Sequence, residues 1–129
     1  MTRPSTAPSA AAVELRVAAR LENLAMLRVL VGAVGTFADL DLDTVADLRL
    51  AVDEACTQLI RAATPEASLT LVVDPREDSV VVDASIDCDA REVVAPGSFS
   101  WHVLTSLTDD VRIFDNGITL SAHRAGSSR

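Results

Sequence analysis

The amino-acid sequence predicts an α/β two-layer sandwich in which a mostly antiparallel sheet carries three helices on one face. The first observation is the order of the elements along the 129 residues, which is strand, helix, helix, strand, strand, helix, strand, strand. The second is that short turns join two pairs of consecutive strands, which makes those pairs antiparallel. The third is that the strands are polar on one side, so their apolar side needs a layer of helices to cover it.

The first three elements are predicted from the spacing of apolar residues. Residues 13–17 alternate apolar and polar side chains, as a half-buried strand does. Apolar residues then recur every three or four positions from 21 to 34, which predicts an amphipathic helix that stops at Gly35. A second helix is predicted over about residues 44–62, with Asp43 as its N-cap and Asp47 favourable to the helix dipole.

The second half of the chain is predicted to contain two hairpins and a short helix. Strands are predicted at 68–73 and 79–86 around an Asp-Pro turn, and at 111–114 and 118–122 around the turn Asn116-Gly117. A loop and a short helix through Trp101 and Leu104 lie between the hairpins. Residues 1–12, rich in Pro, Ser, Thr and Ala, are predicted to be a disordered tail. The domain is therefore placed at 13–122, followed by a frayed C-terminus at 123–129.

Charge and composition limit the classes of partner. The chain has 11 basic residues, all arginine, against 19 acidic ones, for a net charge of −8. That sign disfavours direct binding to nucleic acid or to an anionic membrane and suits a basic protein partner. The sequence has neither an apolar run of about 18 residues nor a secretory leader, so we expect a cytoplasmic protein. Cys56 and Cys88 are expected to be reduced core residues.

One pair of polar residues on the second predicted helix is a candidate for chemistry. Glu54 and Gln58 are four positions apart, so their side chains reach the same side of the helix. The carboxylate could act as a general base and the amide oxygen could bind a hard cation such as Mg²⁺. The alternative is a solvated polar stripe in which Arg61 pairs with a carboxylate. These residues alone leave the function open.

Three segments resemble one known family. Residues 50–60, LAVDEACTQLI, resemble the N-box helix of the anti-sigma factor serine kinases, which are switch proteins of sporulation and the stress response. Residues 98–111 are similar to the third helix and exit strand of that family, and residues 20–28 to its partner-binding helix. The resemblance covers roughly residues 13–122 and looks closest to the general-stress anti-sigma factors of mycobacteria and related actinobacteria. It implies the histidine-kinase-like ATPase (Bergerat, or GHKL) fold, shared with gyrase and the Hsp90 chaperone.

The resemblance assigns a nucleotide site to particular residues. Glu54 matches the glutamate that activates the attacking group in phosphoryl transfer, and Gln58 stands where the family has the asparagine that holds Mg²⁺. Asp87 or Asp89 substitutes for the aspartate that reads adenine, although direct alignment places Cys88 there.

The phosphate-binding part of that site departs from the family pattern. Ser98 and Ser100 replace a pair of glycines, and a Cβ hinders the close approach of the main chain to phosphate. The loop that should cover ATP is also short. The resemblance thus implies a degraded site for ATP and Mg²⁺.

The same resemblance implies a function in binding. Arg28 aligns with an arginine that contacts both the sigma factor and its competitor, the anti-anti-sigma protein, although an ordinary exposed arginine is the alternative. We therefore expect an anti-sigma factor that sequesters a stress-response sigma factor and forms a homodimer. An active ATP-dependent serine kinase that phosphorylates the anti-anti-sigma protein is the second hypothesis, and a dimeric scaffold without a sigma partner is the third.

Overall fold

A computed structural model describes residues 8–124 of the chain, and it contains the elements that the sequence predicts, in the predicted order. The helices are α1 (Leu24–Phe37), α2 (Leu42–Ala62) and α3 (Phe99–Leu107), and a 3-10 turn (Leu21–Asn23) precedes α1. The strands are β1 (Val13–Ala18), β2 (Ser68–Pro75), β3 (Ser79–Ile86), β4 (Asp110–Phe114) and β5 (Gly117–His123).

The five strands form one sheet in the order β1-β2-β3-β5-β4, and every neighbouring pair is antiparallel. In the centre of the sheet Leu71 lies opposite Ala84, and Val82 lies opposite Leu120. These side chains are buried on the same face, against the apolar stripes of the helices. The prediction of an antiparallel sheet covered by three helices is therefore confirmed.

The two long helices pack closely at a glycine. The sequence predicted that α1 stops at Gly35, and this is wrong, because the helix continues to Phe37. Gly35 is buried, and a Cβ at its position would lie 3.2 Å from a methyl carbon of Val45 on α2. The glycine therefore permits the close approach of the helices. The chain leaves α1 through Asp39, whose φ is 62°.

The start of α2 differs from the prediction by two residues. The helix begins at Leu42, and Asp41 rather than Asp43 is its N-cap. Asp41 has extended backbone angles, and its Oδ1 accepts a hydrogen bond of 2.7 Å from the Thr44 backbone N–H. Asp43 lies in the first turn, where a carboxylate is favoured by the helix dipole.

The side of the sheet away from the helices carries a groove of about 290 Å³. Its apolar lining comes from Val72, Val81 and Phe114, and Pro8 lies at its rim. Next to Pro8, the Ser9 backbone N–H donates to Asp74 Oδ2 at 3.1 Å, and the Ser9 hydroxyl donates to Oδ1. These contacts precede the predicted domain start at residue 13, whereas residues 1–7 and 125–129 lie outside the described residues.

Asp74 is a buried carboxylate with several donors. Burial raises its pKa, but the hydrogen bonds from Ser9 and the neighbouring Arg76 guanidinium outweigh burial, so that the pKa lies below its ordinary value. The Arg76 Nε atom lies 3.0 Å from Asp74 Oδ2. The first described residues are therefore attached to β2 through an ionised carboxylate.

Replacing Asp41 by alanine is expected to lower the midpoint of thermal unfolding by a few degrees, because the Thr44 N–H loses its acceptor. Asp43→Ala is the matched control and should lower the midpoint less. The hydrogen bonds from Thr44 lower the pKa of Asp41, so its contribution is present at neutral pH and is lost as the pH falls through that pKa. Calorimetry at neutral and acid pH measures both effects, and equal losses for the two variants would contradict the assignment.

Candidate functional site

The predicted pair on α2 is in contact. Gln58 Nε2 donates a hydrogen bond of 3.0 Å to Glu54 Oε2, and both side chains are half-buried. The four-residue spacing places them one turn apart, as expected. The amide nitrogen of Gln58 is thus directed to the carboxylate of its own helix.

A third residue joins this pair from α3. The Ser100 hydroxyl donates to the same atom, Glu54 Oε2, at 2.5 Å. Ser100 lies in the first turn of α3, so the hydrogen bond links the start of that helix directly to the middle of α2. The sequence predicted that Glu54, Gln58 and Ser100 belong to one site, and the structure brings them together. The direct bond between Ser100 and Glu54 was missed, since their separation of 46 positions gives no local signal.

Ser98 has a separate role at the start of α3. Its backbone is extended, and its Oγ accepts a hydrogen bond of 3.2 Å from the Trp101 N–H, which makes Ser98 the N-cap of α3. The glycine of this segment is Gly97, which precedes the cap and has a φ of 81°. The left-handed conformation that favours glycine therefore occurs before the two serines rather than at them.

The two candidate aspartates lie beyond β3. Asp87 accepts a hydrogen bond of 2.7 Å from the Ser68 backbone N–H and forms an ion pair of 3.0 Å with Arg16. Its described partners therefore belong to β1 and β2 and hold the end of the sheet. Asp89 is exposed in the loop that leads to α3. Within residues 8–124, Asp87 thus bonds to strands β1 and β2 rather than to α2 or α3.

The cysteines are free thiols. Cys56 on α2 is buried, and burial together with the nearby charge of Asp53 raises the pKa of its thiol to about 12. Cys88 is half-buried and packs against the core. Within residues 8–124, no group of three or more His, Cys, Asp or Glu side chains is arranged to hold a metal ion.

Arg28 lies on the solvent side of the groove between α1 and α2. Its Nε donates to Asp53 Oδ1 at 2.9 Å, and the two side chains are 45% and 36% exposed. An ion pair at this exposure contributes little to stability, about 0.2–1 kcal/mol. The pair nevertheless favours one orientation of the guanidinium. Arg28 is a residue that the sequence predicted as a partner contact, whereas its ion pair with Asp53 was not predicted.

Large apolar side chains are also exposed on the helical layer of the molecule. Val29 on α1 and Leu50 on α2 are 66% and 59% exposed, and Phe99 at the start of α3 is 81% exposed. Four other exposed apolar residues lie on the helices and the 3-10 turn, namely Leu21, Met26, Phe37 and Leu42. We call these seven residues the outer helical surface. Exposed apolar side chains of this size are candidates for contact with another protein. No helix in the described part of the chain is long and apolar enough to span a bilayer.

Removing the Ser100 hydroxyl is expected to destabilise the protein by about 1–2 kcal/mol, because hydrogen bonds to charged groups exceed neutral ones in strength. Ser106→Ala is the control, since Ser106 is exposed on the same helix and donates only within it, to the Val103 carbonyl. Urea unfolding followed by the fluorescence of Trp101, the single tryptophan, measures both variants. Equal stability of the Ser100→Ala and Ser106→Ala proteins would show that the link between α2 and α3 contributes nothing.

The chain is similar to individual proteins of known description, although no protein-family model matches it. A protein of two strains of Mycobacterium tuberculosis, described as "Anti-sigma-F factor RsbW", is 67% identical over an alignment of 129 positions that spans 92% of this chain and 77% of the relative.

More distant relatives carry a different description. A Bacillus cereus protein described as "Serine-protein kinase RsbW" is 25% identical over 84% of this chain and 81% of its own length. A Bacillus licheniformis protein of the same description is 24% identical over 84% of this chain and 82% of its own length. The resemblance found in the sequence is therefore confirmed, and the chain belongs to the anti-sigma-F factor RsbW family.

Proposed function

We propose that this protein is a cytoplasmic anti-sigma factor that captures a stress-response sigma factor stoichiometrically. The observation that carries the proposal is the 67% identity to a mycobacterial protein described as an anti-sigma-F factor, over 92% of this chain. The captured partner is accordingly a sigma factor of the F type. The net charge of −8 argues against direct binding to nucleic acid.

The outer helical surface is the proposed site of capture. Its exposed apolar side chains share α1 and α2 with an arginine, Arg28, that pairs with Asp53. Arginine and large apolar residues are typical anchors of protein interfaces, since the guanidinium forms paired hydrogen bonds with carboxylates. An anti-anti-sigma protein releases the sigma factor by competing for an overlapping surface that includes Arg28.

The nucleotide site of this chain is proposed to be degraded. Three features support this proposal. Glu54 Oε2 accepts from the Ser100 hydroxyl, so the carboxylate that the resemblance assigns to phosphoryl transfer is already engaged. Gln58 donates its amide N–H to the same oxygen. Ser98 caps α3 instead of leaving its main chain open to phosphate. The residues as placed do not fit Mg²⁺ and ATP.

An active serine kinase is the alternative function. It is favoured by the two Bacillus relatives, which are 24–25% identical and are described as serine-protein kinases. In that case Glu54 acts as the general base toward a serine of the anti-anti-sigma protein, with Asp87 or Asp89 at the nucleotide base. Both alternatives use the same proposed GHKL fold, in which α2 and α3 border the site.

The protein is further proposed to act as a homodimer through the open face of its sheet. Among residues 8–124 no helix covers this face, and its groove is lined by Val72, Val81 and Phe114 together with charged side chains such as Asp83 and Arg112. Pairing of two such faces would further bury Val72 and Val81, which are half-buried in one copy. It would leave the outer helical surface of each copy open to a sigma factor.

Titration of the purified protein with Mg-ATP is expected to produce no saturable heat, because the carboxylate, amide and serine groups of the site are engaged with one another. The anti-anti-sigma protein should likewise receive no phosphate from labelled ATP. Saturable binding together with phosphate transfer would establish the kinase alternative.

Arg28→Ala is expected to weaken binding of the sigma factor by about 1–3 kcal/mol, the range of a good interface anchor, and to leave the fold intact. Titration of the purified sigma factor with the wild-type and variant proteins measures the difference, and circular dichroism checks the fold. Arg16→Ala is the control, since Arg16 also pairs with an aspartate but lies on β1. An unchanged affinity for Arg28→Ala would place the interface elsewhere.

A further inference from the structure

A second arginine, Arg49, lies in the groove between α1 and α2. A Cβ at Gly32 of α1 would lie 3.4 Å from Arg49 Cδ and 3.6 Å from its Nε, so the side chain of Arg49 crosses α1 at this glycine. Arg49 is exposed. Within residues 8–124 it forms no hydrogen bond or ion pair, unlike Arg28.

The contacts across the groove fix the position of both arginines. Gly35 lies against Val45, Gly32 lies against Arg49, and Arg28 is bonded to Asp53. Positions decrease on α1 as they increase on α2, so the helices run antiparallel. Each step along the groove is about one helical turn, and the two arginines are therefore about 6 Å apart along it.

The chemistry of the two side chains is complementary. Arg28 donates to Asp53 through Nε, at the side of its guanidinium, so the terminal nitrogens remain as donors to another molecule. No described residue accepts a hydrogen bond from Arg49, so all of its N–H groups can donate to another molecule. Val29 and Leu50, both more than half exposed, follow Arg28 and Arg49 directly in the sequence.

We propose that Arg28 and Arg49 together form a seat for a partner helix that carries two carboxylates one turn apart beside apolar residues. Carboxylates at positions i and i+4 of a helix are separated by about 6 Å along its axis, which matches the spacing of the two arginines. Each guanidinium forms paired hydrogen bonds with one carboxylate. The exposed Val29 and Leu50 side chains of the same two helices are available for apolar contact with the partner.

The charge of the molecule favours a protein segment as the occupant. Nucleic acid would meet a chain whose net charge is −8, whereas a short acidic helix engages only the local arginines. Asp53 neutralises part of the charge of Arg28 and holds it in place, so less side-chain entropy is lost on binding. Arg49 has no ion pair with any described residue, so a new pair with a partner carboxylate would not require an existing one to break.

This inference rests on the proposed capture of a sigma factor and adds Arg49 as a second anchor. Arg49→Ala is expected to weaken binding of the purified sigma factor about fivefold to thirtyfold. Arg49→Lys should fall between the wild type and the alanine variant, because lysine keeps the charge but not the paired geometry. The loss should shrink at high salt, since the new ion pair is partly exposed.

Arg61→Ala is the matched control, because Arg61 is exposed on the same helix about 18 Å further along its axis. It should bind as the wild type does. Arg28→Ala and the double variant complete a cycle, and the two losses are expected to be non-additive because both arginines contact one partner helix. Circular dichroism confirms that each variant is folded.

The outcomes separate the two proposals. If the wild type binds and Arg28→Ala weakens binding, but Arg49→Ala binds within twofold of Arg61→Ala, the two-arginine seat is wrong and capture stands. If the wild type does not bind the sigma factor, the proposed function itself fails. Equal losses for Arg49→Ala and Arg61→Ala would also overturn the seat, since the effect would then reflect charge alone.

Discussion

The hydrogen bond from Ser100 to Glu54 is the interaction on which the account of this molecule depends. It joins the start of α3 to the middle of α2 at 2.5 Å, while Gln58 donates to the same carboxylate oxygen. Charge-assisted bonds of this kind exceed neutral ones in strength, so opening the site requires a replacement for both donors. The three side chains thus form part of the packing between two helices.

The groove between α1 and α2 differs from the contact between α2 and α3, because it carries exposed arginine side chains. Gly35 allows the helices to approach at Val45, which lies in the core, whereas the Arg49 side chain lies against Gly32 on the solvent side. Arg28 is directed into the same groove by Asp53. The packing of the helix pair therefore supplies both the core and two neighbouring arginines on the solvent side. Exposed aliphatic residues on the same helices are suited to contact with another protein.

The sequence predicted the elements and their order because apolar periodicity and turn residues are local signals. The N-cap of α2 was placed at Asp43 because three aspartates alternate there, and only the backbone conformation selects Asp41. Gly35 was interpreted as a helix end, whereas its role depends on Val45 across the groove. Of the candidate site, the contact of Glu54 with Gln58 follows from helical spacing. The bonds of Ser100, Asp87 and Arg28 connect residues 19 or more positions apart and could not be predicted.

The most direct test of the account is the affinity for the purified sigma factor, measured with and without saturating Mg-ATP. If capture on α1 and α2 does not depend on a nucleotide, the dissociation constant should be the same with and without Mg-ATP. A tenfold or greater tightening by Mg-ATP would contradict it, because the closed contact between α2 and α3 would then have to open during function.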